Sequence, residues 1–378
     1  MMSFGGSWFF LAASENVTYA GRSYLLPGVG SYMAVAEQRG DAGAMVAAVL
    51  VMILLIVLVD QIFWRPVIAW SQRFKMEQTR AADEPTSFVL MILQRSMLVE
   101  MLERRVLRPT LEGALRALSR PPRPAQVRRL GRGALGSAGG LLAVALLAWA
   151  AFSGAHLLHG IGGAQVLHVL WLGILTLLRV AAAVLLGALW TVPVGVYIGL
   201  SPRVSGWAQP VAQIAASFPA NMLFPVVVAL LLRMDTGLDI GAIPLMMLGT
   251  QWYILFNVMA GTMAIPSDLK EAARVFGVRG GLRWRQLILP AIFPSLVTGG
   301  VTAAGGAWNA SIVAEVVGWG GHLLVAQGVG AYITLATAHG HFGDILLGIA
   351  VMSVLVVAMN RLVWRPLYRL AETKYHLD

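Results

Sequence analysis

The stretch Glu271–Pro290 reads EAARVFGVRGGLRWRQLILP, and its reading decides how the rest of the chain is understood. It is amphipathic, carries Arg274, Arg279, Arg283 and Arg285, and lies between two long apolar runs. A basic, polar loop in such a place must serve something outside the bilayer. Its spacing is particular. Glu271-Ala272-Ala273 is followed after three residues by Gly277, and after nine more by Leu287, Leu289 and Pro290. Small side chains allow a partner helix to approach closely, and Gly277 permits a turn that a side chain would strain.

Composition leads to the same membrane reading by another route. The 378 residues are 58% hydrophobic and only 12% charged, with a mean hydropathy of +0.73, whereas soluble domains carry about 25% charged residues. With no cysteine there is no disulfide framework, thiolate metal site or cysteine nucleophile. Apolar runs of about 20 residues cross a hydrocarbon core. Six are read in the main body, near 138–155, 170–200, 208–232, 240–262, 291–314 and 343–363, and a seventh near 44–64. Backbone groups in lipid must satisfy one another, so these runs are helices. The fold class expected is an all-α integral membrane protein, a polytopic helical bundle. The run 170–200 is long for one straight span, which suggests an interfacial lead-in to a tilted helix. Pro193, Pro219, Pro225 and Pro244 fall inside the runs, as membrane helices tolerate.

Orientation follows from the basic residues. With the Glu271 loop in the cytoplasm, the cytoplasmic pieces carry fourteen Lys/Arg in 64–133, one in 201–207, five in 263–286 and four in 361–378, so 24 of the 28 lie on one side. That asymmetry is the positive-inside pattern. It places the C-terminus in the cytoplasm and explains the net charge of +10 without a nucleic-acid partner.

The chain also repeats itself at an offset of 300 residues. Gly5-Gly6-x-Trp8, Glu15, Gly28-Val29-Gly30-x-Tyr32, Gly40, Gly43 and Trp64-Arg65-Pro66 match Gly305-Gly306-x-Trp308, Glu315, Gly328-Val329-Gly330-x-Tyr332, Gly340, Gly343 and Trp364-Arg365-Pro366. Roughly 20 of about 60 aligned positions are identical, the mark of a duplicated structural unit. Residues 1–66 therefore read as the remnant of a first unit, a partial span plus one full span. Residues 67–133 read as a basic cytoplasmic linker, in which Ser87–Leu102 forms an amphipathic helix, either at the membrane surface or in solution. Residues 134–378 read as a complete unit of about six spans, with the polar loop at 263–290.

The spacing of Glu271, Ala272, Ala273, Gly277, Leu289 and Pro290 closely resembles the "EAA" coupling loop of type I binding-protein-dependent ABC importer permeases. Leu287 stands where that family usually has isoleucine. Thr176-Leu-Leu-Arg179, Thr191-Val-Pro193-Val-Gly195, Gly199-Leu-Ser-Pro202 and the segment from Trp308 to Glu315 are similar to the nitrate/sulfonate/taurine/bicarbonate-like subset, some of whose members fuse two permease units in one chain. The resemblance implies an inner-membrane permease subunit of an ATP-driven importer of anions. Its loop would dock on a separate ABC ATPase, its solute would come from a periplasmic binding protein, and it would pair with a second permease unit, another copy or a separate chain, in the lipid bilayer. ATP binding would pull the Glu271 loops and rock two permease units between inward and outward access.

The candidate functional residues divide accordingly. Glu271, Ala272, Ala273, Arg274, Gly277, Leu289 and Pro290 are the coupling set. Arg274, Arg279, Arg283 and Arg285 either meet acidic groups on the ATPase or anchor the loop by their charge. Arg179, Trp308, Asn309 and Glu315 are candidates for the translocation path, since polar groups within a membrane are expensive. The competing reading for them, and for Ser311, is interhelical hydrogen bonding or an interfacial position. Glu15 repeats Glu315, so both units share whatever that carboxylate does. His156, His159, His168, His322, His339 and His341 fall on the periplasmic side, but no carboxylate or thiolate cluster joins them, so no metal is expected. No Gly-x-x-x-x-Gly-Lys-Ser/Thr loop, catalytic set or cofactor motif occurs, and the chain is read as non-catalytic. Two other readings remain: an inactive or scaffold remnant of a fused permease, and a secondary carrier. The direct repeat and sparse intramembrane charge count against the carrier, which favours inverted repeats and midplane ionisable groups.

Overall fold

The computed structural model describes residues 14–64, 160–319 and 322–375, with the single positions Val67, Trp149 and Ser153. The chain divides into two units, residues 1–56 with 160–378 in one and 57–159 in the other. The architecture that follows is that of the first. The expected span near 138–155, the linker 67–133 with its amphipathic helix, and Gly5-Gly6-x-Trp8 lie outside the described residues.

A hairpin of β1 (Asn16–Tyr19) and β2 (Arg22–Leu25) turns through Ala20 and Gly21, both at positive φ. It leads into α1 (Val29–Arg39) and α2 (Ala42–Val59), the latter ending in a π turn over Asp60–Trp64. The main body begins with α3 (Gly163–Leu200), followed by α4 (Pro202–Ser217), a 3-10 turn (Ala220–Leu223), α5 (Phe224–Arg233) and α6 (Leu238–Met263). Two short helices follow, α7 (Ser267–Val275) and α8 (Gly280–Arg283), with a π turn at Trp284–Ile288 leading into α9 (Leu289–Ala314). A second hairpin, β3 (Val316–Trp319) and β4 (His322–Val325), precedes α10 (Val329–His339), α11 (Phe342–Met359), a π turn at Asn360–Trp364 and α12 (Arg365–Lys374). Among the described residues, strands occur only in these two hairpins.

Every element from β1 to the first π turn has a counterpart 300 residues further on with matching bounds. The hairpin registers match as well, Asn16 opposite Leu25 and Val316 opposite Val325. Gly40 and Gly340 both close their helices in the left-handed region, which a side chain would strain.

Among the described residues, five helical stretches are long and apolar enough to cross a membrane, or six if one bent pair counts as a single span. This is the all-helical, polytopic architecture expected. The bent pair departs from the sequence reading. The run near 208–232 is not one helix but α4 and the Ala220–Arg233 stretch, set at 80° to each other. The reason is local. Phe218 and Pro219 are extended, and neither Pro219 nor Pro225 has an N–H to continue a ladder. Pro193 and Pro244, by contrast, stay inside unbroken helices. The expected loop 263–290 is also shorter than expected. Leu289 and Pro290 belong to the first turn of α9, where proline's missing N–H costs nothing.

Helix α6 is the central member, flanked by α3 and α9. With no water to expel between helices in lipid, close backbone approach supplies the attraction. A Cβ added at Gly199 of α3 would lie 2.7 Å from Thr262 Cβ and 2.9 Å from Met259 O of α6, and one at Gly261 of α6 would lie 2.7 Å from Ser295 Cβ of α9. On the other side, α2 packs Ala48, Met52 and Ile56 against Met222, with Phe218 alongside. Gly199→Leu should therefore overpack the α3–α6 contact, costing about 1–3 kcal/mol, and lower the thermal midpoint in detergent. Gly206→Ala, where an added Cβ meets nothing within 4 Å, is expected to leave that midpoint unchanged.

Candidate functional site

The Glu271 loop takes its shape from one turn. Helix α7 has Asp268 in its first turn and Arg274 in its last, each favourable to the helix dipole. It ends where Val278 N donates to Ala273 O at 2.8 Å and Gly277 N to Arg274 O at 3.1 Å. These two bonds form a Schellman closure, with Gly277 at φ +68° in the left-handed position. The consequence is that Val275 and Phe276, 77% and 81% exposed, stand outward at the apex. Sequence reasoning chose Glu271, Ala272, Ala273 and Gly277 and missed this apolar pair. Their place directly before the turn glycine was the available signal. Glu271 and Arg274 are exposed, and Ala272 and Ala273 are half-buried.

The basic groups nearby have no counter-charge. Among the described residues no carboxylate lies in ion-pair range of Arg274, Arg279, Arg283 or Arg285. Arg283 Nε is buried without a hydrogen-bond partner. Burial, and then the Arg283 guanidinium, lower the pKa of the Lys270 ammonium. The loop thus offers an exposed apolar knob beside unpaired cations.

A second site lies at the far end of α9. Glu315 caps that helix and is fully buried. Its Oε1 accepts from Thr176 Oγ1 at 2.7 Å and from Arg179 Nη1 at 3.0 Å, both on α3. Its Oε2 accepts from Ala331 N at 3.1 Å, at the start of α10. Arg179 also donates from Nη1 to Gln327 O at 2.9 Å, from Nε to Asp239 O at 2.6 Å and from Nη2 to Asp239 Oδ1 at 2.7 Å. Thr176 Oγ1 in turn accepts from Val329 N at 2.9 Å. One carboxylate and one guanidinium therefore tie together α3, α6, α9 and the turn before α10.

The repeated Gly-Val-Gly motif is the cradle for this carboxylate. Gly328 has extended backbone at φ −158°, so conformation does not demand glycine there. Space does: a Cβ at Gly328 would overlap the Glu315 carboxylate, and one at Gly330 would lie 2.6 Å from Ser311 O.

The other path candidates separate. Trp308 is buried, with its indole N–H unpaired among the described residues. Asn309 is exposed. Ser311 Oγ donates to Trp308 O of its own helix at 2.7 Å, as expected of a hydroxyl satisfied locally. His156 and His159 lie outside the described residues; His341 Nδ1 lies 3.5 Å from Asp344 Oδ2, His339 Nδ1 contacts Leu335 O, and no cluster of three metal-ligating groups occurs among the described residues.

Arg179→Leu would leave Glu315 charged and uncompensated in the interior, at a cost of about 3–5 kcal/mol. The expected result is a large loss of thermal stability in detergent, partly recovered by Arg179→Leu with Glu315→Leu. Asp239, half exposed to solvent, tolerates the loss of its partner.

Comparison with known proteins bears on both sites. Residues 191–365 match the model of the family described as "Binding-protein-dependent transport system inner membrane component". The bicarbonate transport system permease protein of Synechococcus elongatus is 26% identical over 193 residues, 51% of this chain and 66% of that protein. The nitrate import permease protein of Leptolyngbya laminosa is 27% identical over 188 residues, 50% of this chain and 64% of its own. A putative aliphatic sulfonates transport permease protein of Bacillus subtilis is 26% identical over 181 residues, 48% and 62% respectively. The chain thus spans somewhat under two thirds of the length of these relatives. The matched segment, somewhat under half of the chain, holds the Glu271 loop, the α9 span and Glu315, and through it the chain is similar to binding-protein-dependent transport system inner membrane components.

Proposed function

We propose that the chain is the permease subunit of an ATP-driven, binding-protein-dependent importer, and that the Glu271 loop is where a separate ABC ATPase grips it. The observation that carries this is the apex of α7. Two large apolar side chains are held out by a Schellman turn between two membrane spans, in a loop whose four arginines have no acidic partner among the described residues. Exposed apolar groups beside unpaired charge mark an interaction site. The partner chemistry that fits is a groove with an apolar floor and an acidic rim. In this reading Val275 and Phe276 fill the groove. Ala272 and Ala273 allow close approach, and Glu271 and Arg274 fix the register. Gly277 sets the angle of presentation. Leu289 and Pro290 begin the helix that carries the motion into the membrane.

The loop then faces the cytoplasm, as does the C-terminus, and ATP is hydrolysed in the partner, not in this chain. A periplasmic binding protein delivers the solute, and a second permease unit completes the path. The named substrates of the relatives are bicarbonate, nitrate and aliphatic sulfonates. A small oxyanion is the solute class we assign. Arg179 is spent on Glu315, Asp239 and the Gln327 carbonyl, so it acts as a structural tie. Among the path candidates Trp308 keeps a buried indole N–H without a partner among the described residues, and Asn309 is exposed, so these two retain donors for a solute in transit.

Val275→Asp with Phe276→Asp, or Gly277→Val at its positive φ, should leave membrane insertion intact. Co-purification of the ATPase subunit and ATP-driven uptake should both fall at least tenfold. Uptake at the wild-type rate in the double variant would exclude the loop as the coupling site.

A further inference from the structure

Three identical features of the repeat are covered in one copy and open in the other. In the second copy, Glu315 Oε1 takes Thr176 and Arg179 of α3. Tyr332 OH accepts from Gln165 Nε2 of α3 at 3.2 Å. Val351 and Leu355 of α11 lie against Gly173 of α3, so closely that a Cβ there would come within 3.0 Å of Val351 Cγ1. The carboxylate, ring and two aliphatic side chains recur 300 residues earlier as Glu15, Tyr32, Val51 and Leu55.

The cradle of the first copy is built in the same way. Glu15 Oε2 accepts from Gly30 N at 2.7 Å and Ser31 N at 3.3 Å. Leu26 N donates to Glu15 O at 2.9 Å, as Ala326 N does to Glu315 O at 2.8 Å. A Cβ at Gly28 would overlap the Glu15 carboxylate, as one at Gly328 would overlap Glu315. Yet Glu15 Oε1 has no partner among the described residues. Tyr32 is 52% exposed, Val51 47% and Leu55 36%, whereas Val351 is 5% exposed. Polar, aromatic and aliphatic points, at Glu15 just before β1 and on α1 and α2, are all uncovered on the face where their counterparts meet α3.

We infer that this face of the first copy is the docking site for a transmembrane helix carrying a small residue, a threonine and an arginine at successive intervals of three. Gly173, Thr176 and Arg179 show the pattern: such spacing places all three on one helix face. The arginine neutralises Glu15 and the threonine bonds both Oε1 and the amide of Val29. The small residue admits Val51 and Leu55. Within residues 1–378 no such helix is free. Thr176-Leu-Leu-Arg179 is the one Thr-x-x-Arg there, and both side chains are already bound to Glu315. A second copy would have to break its own Glu315 site to offer them. The proposal deepens the reading of the protein as a permease that works with a second unit and rests on it for the kind of helix that docks.

The test needs neither ATPase nor solute, so it stands or falls apart from the coupling loop. The chain has no cysteine, and Thr18 on the exposed hairpin can be changed to cysteine and labelled with a donor dye. The labelled protein, in phosphatidylethanolamine/phosphatidylglycerol nanodiscs, is titrated with an acceptor-labelled synthetic helix of sequence Gly163–Leu200. Saturable energy transfer is expected. Glu15→Gln should weaken it at least tenfold, and so should Val51→Trp, which fills the groove while leaving the Glu15 cradle intact. A helix with Thr176→Val and Arg179→Leu should likewise bind at least tenfold more weakly. Absence of saturable transfer overturns the proposal. So does transfer indifferent to Glu15→Gln and Val51→Trp, which would mean exchange at Glu315 or simple crowding in the disc.

Discussion

The bond between Arg179 and Glu315 is the constraint on which the end of the main body away from the Glu271 loop depends. A carboxylate with no solvent contact is tolerable only when every lone pair is used and a positive charge is near. Here the groups that satisfy it come from elements far apart in sequence: Thr176 and Arg179 from α3, and the amide of Ala331 from α10. Asp239 of α6 joins through Arg179 and also takes Gln327 N at 2.8 Å. Because removal of one partner strands the others, these elements are locked as a set and not pair by pair.

The same chemistry explains why the repeat is conspicuous in sequence. Gly-Val-Gly after a glutamate looks like a turn signal, and a turn would allow many substitutions. A cradle allows few, because Gly28 and Gly328 are excluded from having side chains by the carboxylates and not by their own backbone angles. Sequence reasoning saw that Glu15 and Glu315 share a role. It could not see which, because the partners of Glu315 lie in α3, and no local pattern links position 179 to position 315.

Other features sort by the same criterion of locality. The membrane helices were legible because hydropathy acts along the chain, and α6 and α11 differ from their expected bounds only by residues at the ends. The turn at Gly277 was legible because one residue type suits that backbone. The break between α4 and α5 was not. Pro219 and Pro193 look alike in an apolar run, and only the first is joined by Pro225 six residues on, with an extended residue before it. The exposure of Val275 and Phe276 was hidden for the opposite reason. Apolar residues beside a span are expected to be buried, and it takes the closure of α7 to turn them outward.

The two candidate sites are connected by a single rod. From Gly280 through the π turn to Ala314 the helix runs unbroken for 35 residues, about 50 Å at 1.5 Å per residue. Its loop end follows Gly277 and the exposed pair, and its other end is capped by Glu315. A helix of this length bends far less readily than the loops at its ends, so a displacement imposed at the loop arrives at Glu315 as a displacement. The π turn at Trp284–Ile288 and the prolines Pro290 and Pro294 are irregularities on the way, and π turns are sites of adjustment. In the importer reading, the Arg179–Glu315 bond is then what resists motion of the rod, and its lock on α3, α6 and α10 makes those helices move as a body. Coupling requires only that the ATPase hold the loop differently in its two states. The rod and the buried ion pair supply the rest, since a body fixed at one end and gripped at the other can rock without its interior repacking.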